Sequence, residues 1–169
     1  MKEIDRRDLI LLKRLQSLNI VIKEIDGDGA CLFRSASDQI YGDRGDGHHK
    51  DLRHKVCQWL TVNQDCLKNF FSGDKDFDKH IREMRKVGTY ADHHEIIALS
   101  AILNQAIHIH SYDFINPLVI LHDSVEHQSG PPLLFSRHRE NHYNSLYHRS
   151  GRSNEVRTFE FIVQQSSNY

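Results

Sequence analysis

Gly27-Asp28-Gly29-Ala30-Cys31-Leu32-Phe33-Arg34 is the stretch on which the fold turns. Before it, Leu18 to Ile25 alternates apolar and polar residues around Ile20 and Ile22, which predicts a strand. After it, Leu32, Phe33, Ala36 and Ile40 keep helical spacing until Gly42. A strand therefore runs through a glycine-rich turn into a helix, with Cys31 in the first helical turn. Unpaired amides and the dipole of a helix N-terminus stabilise a thiolate, which predicts a lowered thiol pKa for Cys31. Glycines at 27 and 29 give the loop freedom to aim backbone N–H groups at one point, as an oxyanion hole requires. The plainer reading of Cys31 is a small residue packed at a helix start.

Outward from this segment the chain organises simply. Upstream, residues 4–17 place Ile4, Leu9, Leu12 and Leu15 among charges, predicting an amphipathic helix. Downstream, Asp43 to His49 is a polar loop, Leu52, Val56, Trp59 and Leu60 mark a helix, and Phe77 to Met84 a shorter one. Gly88-Thr89-Tyr90-Ala91 reads as a linker, and Asp92 as the N-cap of a helix through about Asn104. Ile107 with Ile109, Leu118 to Leu121, Leu133 to Phe135, Tyr143 to Tyr147 and Val156 to Val163 read as strands. Helices precede strands, which predicts an α+β domain with helices packed on a mainly antiparallel sheet.

Composition bounds the function. A chain of 169 residues makes one domain with a core large enough to fold without disulfides or metal. Hydrophobic residues are 38% and charged ones 27%, a globular balance. With 22 Lys plus Arg against 23 Asp plus Glu, the net charge of -1 removes the electrostatic case for a nucleic-acid or membrane binder. The 13 histidines are the outlier: protonating all of them would carry the net charge to +12. Leu9 to Leu12 is too short for a signal-peptide core, and Ile96 to Leu103 too short to cross a bilayer. Cys31, Cys57 and Cys66 are odd in number and lack CxxC spacing, which speaks against a disulfide scaffold or a zinc ribbon. These features predict a soluble intracellular protein, cytoplasmic or nuclear.

A second segment gives Cys31 a partner. In Asn141-His142-Tyr143-Asn144-Ser145-Leu146, period two puts His142 and Asn144 on one strand face and Tyr143 on the other. A Cys/His pair needs a third group to hold the imidazole tautomer, and Asn can serve. A polar strand face is the plainer alternative. The remaining candidates read as structural. His108 and His110 share a strand face without a third ligand at metal spacing, which predicts a solvent-facing strand. His48-His49 and His93-His94 suit loop or helix surfaces, Trp59 suits the core, and Cys57 and Cys66 read as packed thiols.

Asp28-Gly29-Ala30-Cys31-Leu32-Phe33-Arg34, Gly88-Thr89-Tyr90-Ala91 with Glu95, and His142-Tyr143-Asn144-Ser145, in that order, resemble the OTU (ovarian tumour) family of cysteine deubiquitinases. The resemblance covers about residues 20–150 and implies a papain-like thiol protease cleaving after the C-terminal glycine of ubiquitin. It implies Cys31 as nucleophile, His142 as general base and acid, Asn144 as the group orienting His142, and Asp28 as a support for the oxyanion hole with Gly29 and Ala30. Tyr90, Ala91, Asp92, Glu95, Asn141 and Tyr143 would line the cleft for the ubiquitin tail. Tyr90-Ala91-Asp92 stands where many relatives carry Trp-Gly-Gly. Residues 1–19 would be a helix packed on or extending the domain, 20–150 the catalytic domain, and 151–169 a C-terminal strand or tail. Neither metal nor organic cofactor is implied. The implied partners are ubiquitin and polyubiquitin chains, bound by a monomer. The competing readings are a catalytically silent ubiquitin-binding module and a cysteine protease for another ubiquitin-like modifier.

Overall fold

The computed structural model describes residues 5–71, 74–139 and 141–149. Helix α1 (Arg6–Ser17) leads into strand β1 (Ile20–Lys23), and after the glycine loop come α2 (Cys31–Tyr41) and α3 (His49–Val62). A short helix α4 (Gln64–Leu67) and a 3-10 turn (Lys68–Phe70), absent from the sequence expectations, precede α5 (Asp74–Met84) and α6 (His93–Leu103). Strands β2 (Ile107–Ser111), β3 (Leu118–Ile120), β4 (Leu133–His138) and β5 (His142–His148) complete the described part. The strand expected over Val156 to Val163, and with it the tail 151–169, lies outside the described residues.

Among the described residues the strands form one sheet in the order β1-β5-β4-β2-β3. The β1–β5, β4–β5 and β2–β3 pairs are antiparallel, as expected, but β2 and β4 pair in parallel. The reason is topological. β3 returns the chain to the end of the sheet where β2 began, so β4 starts there and runs alongside β2. The fold is α+β with a mixed, mostly antiparallel sheet.

Period two sorts the sheet's side chains onto two faces. Ile107, Ile109, Leu133, Phe135 and Tyr143 join the main core with Leu32, Phe33, Ala36, Leu52, Val56, Leu60, Ile96 and Leu99 of the helices. The opposite face is covered by α1, where Leu11 and Leu15 bury themselves on Ile20 and Leu146 to make a second, smaller core. Helix α1 thus lies against this face of the sheet through its Leu11 and Leu15 side chains. His108 and His110 lie on this covered face, and His110 is buried, which corrects the solvent-facing expectation. His49 is likewise buried rather than on a helix surface.

Candidate active site

Gly29 has φ +78°, and a Cβ built on it would stand 2.1 Å from the Gly88 carbonyl oxygen. Only glycine fits there, because the Cys31 loop runs against the backbone of residues before Tyr90. Asp28 organises the same loop. Its Oδ1 accepts from the Ala30 N–H at 3.1 Å, and its Oδ2 accepts from the Arg34 Nε and Nη2 at 3.0 and 2.8 Å. The Arg34 guanidinium holds the Asp28 carboxyl below the usual carboxylate range. Arg34 also donates to Asp46 and to the Gly45 carbonyl, tying the loop to the 43–47 segment. The Ala30 amide, expected to face an oxyanion, is therefore engaged by Asp28.

Cys31 opens α2 as expected, and is buried. Its thiol donates to the Asn141 carbonyl at 3.4 Å, and among the described residues no hydrogen bond joins it to His142. Burial pushes the Cys31 thiol up, aided by the nearby Asp28 charge, while backbone amides of Tyr143 and Leu32 oppose that rise. The lowered pKa predicted from the helix N-terminus is thus reversed: desolvation outweighs the amides.

His142 and Asn144 project from β5 on one face, as period two requires. Asn144 Oδ1 lies 3.0 Å from His142 Nε2 and also accepts the Ile25 N–H at 2.8 Å. An oxygen already taking a backbone N–H acts as acceptor toward the ring, so Nε2 carries the proton and Nδ1 keeps a lone pair. Nδ1 faces the loop, 3.5 Å from where a Gly27 Cβ would stand. Burial lowers the His142 pKa, with the Asn144 contact acting the other way. Thiol and imidazole are both held toward their neutral forms.

The expected cleft residues divide. Tyr90 is exposed and its hydroxyl donates to the Gly27 carbonyl at 3.3 Å. Asn141 brings its carbonyl to the Cys31 thiol, and Asp92 is exposed at the start of α6. Ala91, Glu95 and Tyr143 are buried, so their side chains do not line a cleft. Glu95 closes a capping box with Asp92 and takes His80 Nε2 at 2.6 Å. Tyr143 packs in the core, where burial lifts its hydroxyl to about 12.

One contributor escaped the sequence reading. Arg53, buried on α3, donates to the carbonyls of Gly29 at 3.0 Å, Met84 at 2.9 Å and Val87 at 2.8 Å, with its guanidinium 4.5 Å over the Phe33 ring. It clamps the Cys31 loop to the segment before Tyr90. The signal was present, since Arg53 falls in the apolar stripe of Leu52, Val56, Cys57 and Leu60. Cys66, read as packed, is exposed. Among the described residues no group of three His, Cys, Asp or Glu could hold a metal ion, and no helix is long and apolar enough to cross a membrane.

The family model described as OTU-like cysteine protease matches residues 26–151. The human OTU domain-containing protein 5 is 31% identical over 130 residues, covering 75% of this chain and 22% of that protein. The OVARIAN TUMOR DOMAIN-containing deubiquitinating enzyme 6 of Arabidopsis thaliana is 33% identical over 126 residues, covering 74% of this chain and 24% of that one. The chain thus spans less than a quarter of the length of these relatives. In fold it is similar to the OTUD1 OTU domain, with TM-score 0.67, 22% identity and 82% and 95% of the two chains covered. An OTU domain solved in complex with ubiquitin gives TM-score 0.58 at 20% identity, over 88% and 86%.

Proposed function

This chain belongs to the OTU-like cysteine protease family, and on that premise we propose that it is a thiol-dependent deubiquitinase, hydrolysing the isopeptide bond after the C-terminal glycine of ubiquitin. The observation that carries the reading is the His142–Asn144 pair on β5, with its free Nδ1 turned toward the Cys31 loop. In the reaction His142 Nδ1 takes the Cys31 proton, and the thiolate attacks the glycine carbonyl carbon. The C–N bond breaks as His142 returns that proton to the departing lysine amine, leaving a thioester. His142 then deprotonates water, which attacks the thioester, and the Cys31 sulfur leaves and recovers a proton. The Cys31 thiol must first leave the Asn141 carbonyl, an adjustment ordinary for such sites before substrate arrives.

Tyr90, Asp92 and Asn141 are the cleft residues with surface to offer a ubiquitin tail, and the enzyme acts on polyubiquitin as a monomer in the cytoplasm or nucleus, without metal or cofactor. Ubiquitin bearing an electrophilic C-terminus tests the reading. A covalent adduct mapped to Cys31, and lost in Cys31→Ala, supports it. Tight non-covalent binding alone turns the reading to a silent ubiquitin-binding module, and no association turns it to another ubiquitin-like modifier.

A further inference from the structure

Helix α1 precedes the family-matched segment, yet one of its side chains reaches the strand pair that carries His142. His138 ends β4 and is the direct register partner of His142 across the β4–β5 pair. Their ring centroids are 6.3 Å apart. The His138 ring is held at both nitrogens: Nδ1 lies 2.9 Å from Asp8 Oδ1 on α1, and Nε2 lies 2.8 Å from Ser136 Oγ. The connection between the two histidines contains Asn141, whose carbonyl takes the Cys31 thiol. Whatever fixes the end of β4 therefore bears on both members of the candidate pair.

We propose that Asp8 of α1, acting through His138, is a positioning residue for His142, so that docking of the N-terminal helix sets the competence of the site. This rests on the reading of Cys31 and His142 as the reactive pair. Anchoring of α1 makes the link mechanical: Leu11 and Leu15 are buried in the smaller core, Arg7 donates to the Tyr112 hydroxyl at 3.2 Å, and Arg14 donates to the Ser111 carbonyl at 2.9 Å. The link is also electrostatic. His138 and Arg139 disfavour a charged His142, Glu24 favours one, and Asn144 supports it through its hydrogen bond. Facing His138 stand Asp8 from α1, Ser136 on its own strand and His142 from β5. The Asp8 carboxylate, 2.9 Å from the His138 ring, opposes the repulsion that His138 exerts on a charged His142.

The test is a double-mutant cycle read in two ways. In Asp8→Ala, kcat on a fluorogenic ubiquitin substrate falls roughly three- to tenfold at unchanged KM, within the range of couplings carried by packed groups. Ring NMR of His142, followed against pH in a Cys31→Ala background, moves to lower pH in Asp8→Ala and to higher pH in His138→Gln. In His138→Gln, the further change Asp8→Ala has no effect on either readout. Asp8→Asn keeps an acceptor for His138 and serves if Asp8→Ala loosens the helix. An unmoved His142 titration, or equal effects of Asp8→Ala with and without His138, overturns the proposal. The NMR titration needs no turnover, so a protein that hydrolyses no ubiquitin fails the functional reading while this result still decides the coupling.

Discussion

Cys31, His142 and Asn144 make opposite demands on their surroundings. As the proposed nucleophile, Cys31 has to be sheltered to meet a carbonyl without water, yet shelter raises its pKa and lowers that of the His142 imidazole. The free protein therefore rests as thiol and neutral base. The consequence for labelling is specific. Iodoacetamide should modify exposed Cys66 ahead of buried Cys31 at neutral pH, and Cys31 labelling should climb only as pH passes the ordinary thiol value of about 8.5. Peptide mapping across pH 6–10 checks this, and preferential labelling of Cys31 at pH 6 would show a thiolate that burial does not allow. Asn144 has two duties, since Oδ1 serves both His142 and the Ile25 amide. Asn144→Ala should slow turnover roughly ten- to a hundredfold, the kinetic equivalent of one to two lost hydrogen bonds near a reacting group. Asn144→Asp keeps the acceptor and adds a charge that favours imidazolium, so activity should persist with its His142 limb moved to higher pH. Steady-state kinetics against pH separates the two. Spacing put the two side chains on one strand face, because period two is enforced by the strand itself, and the family resemblance gave them a role. The Cys31 pKa was not legible, because desolvation depends on what the rest of the chain lays over the sulfur.

Helix α6 shows what a local sequence signal resolves and where it stops. Asp92 reads as an N-cap, the helix starts at His93 as that predicts, and Glu95 completes a capping box with it. The capping residue does more than cap, however. Glu95 is fully buried, takes the Asp92 N–H at 2.8 Å, and pairs with His80 from α5 fifteen residues earlier. No period in the sequence joins positions 80 and 95. The same holds for Arg53, whose place in an apolar stripe flags a buried charge without saying which carbonyls receive it. Elements are set by local patterns, but the polar bonds that orient them are set by tertiary contact. The Glu95 contact raises the His80 pKa above its ordinary 6.5. A raised histidine contributes stability that is complete below the unfolded value of about 6.5 and is lost as pH rises through the higher folded value. Denaturant midpoints should therefore fall from pH 6 toward pH 8 by more in the wild type than in His80→Phe. Glu95→Ala, which strands both the Asp92 amide and the His80 ring, should cost about 1.5–3 kcal/mol in the same titration. Equal pH slopes in wild type and His80→Phe would place the dependence on another of the histidines.

The molecule carries two cores on one sheet, and they are unequal. Helices α2 to α6 and strands β2 to β5 all feed the larger one, while the smaller depends on Leu11, Leu15, Ile20 and Leu146. Helix α1 is joined to the rest mainly through that second core and the bonds of Asp8, Arg7 and Arg14. An element held by so few buried contacts opens at lower free energy than the body it covers. The order of opening has a measurable signature. Amides of α1 should exchange with solvent well before those of α2 and α3, whose buried residues include Phe33, Leu52 and Val56. Leu15→Ala, at a site 1% exposed, removes buried methyl groups and leaves a cavity, a change that ordinarily costs about 2–5 kcal/mol. Because α1 is the less stable part, most of that cost should fall on its docking and little on the main core. Hydrogen exchange should then show α1 and β1 losing protection while α2, α3 and α6 retain theirs under mild denaturant. If docking of α1 sets the His142 site, Leu15→Ala should also lower kcat at a pH and temperature where the main core stays fully protected. Uniform loss of protection across all helices would mean instead that the two cores open as one cooperative unit. In that case α1 belongs to the body of the main core rather than forming a detachable brace upon it.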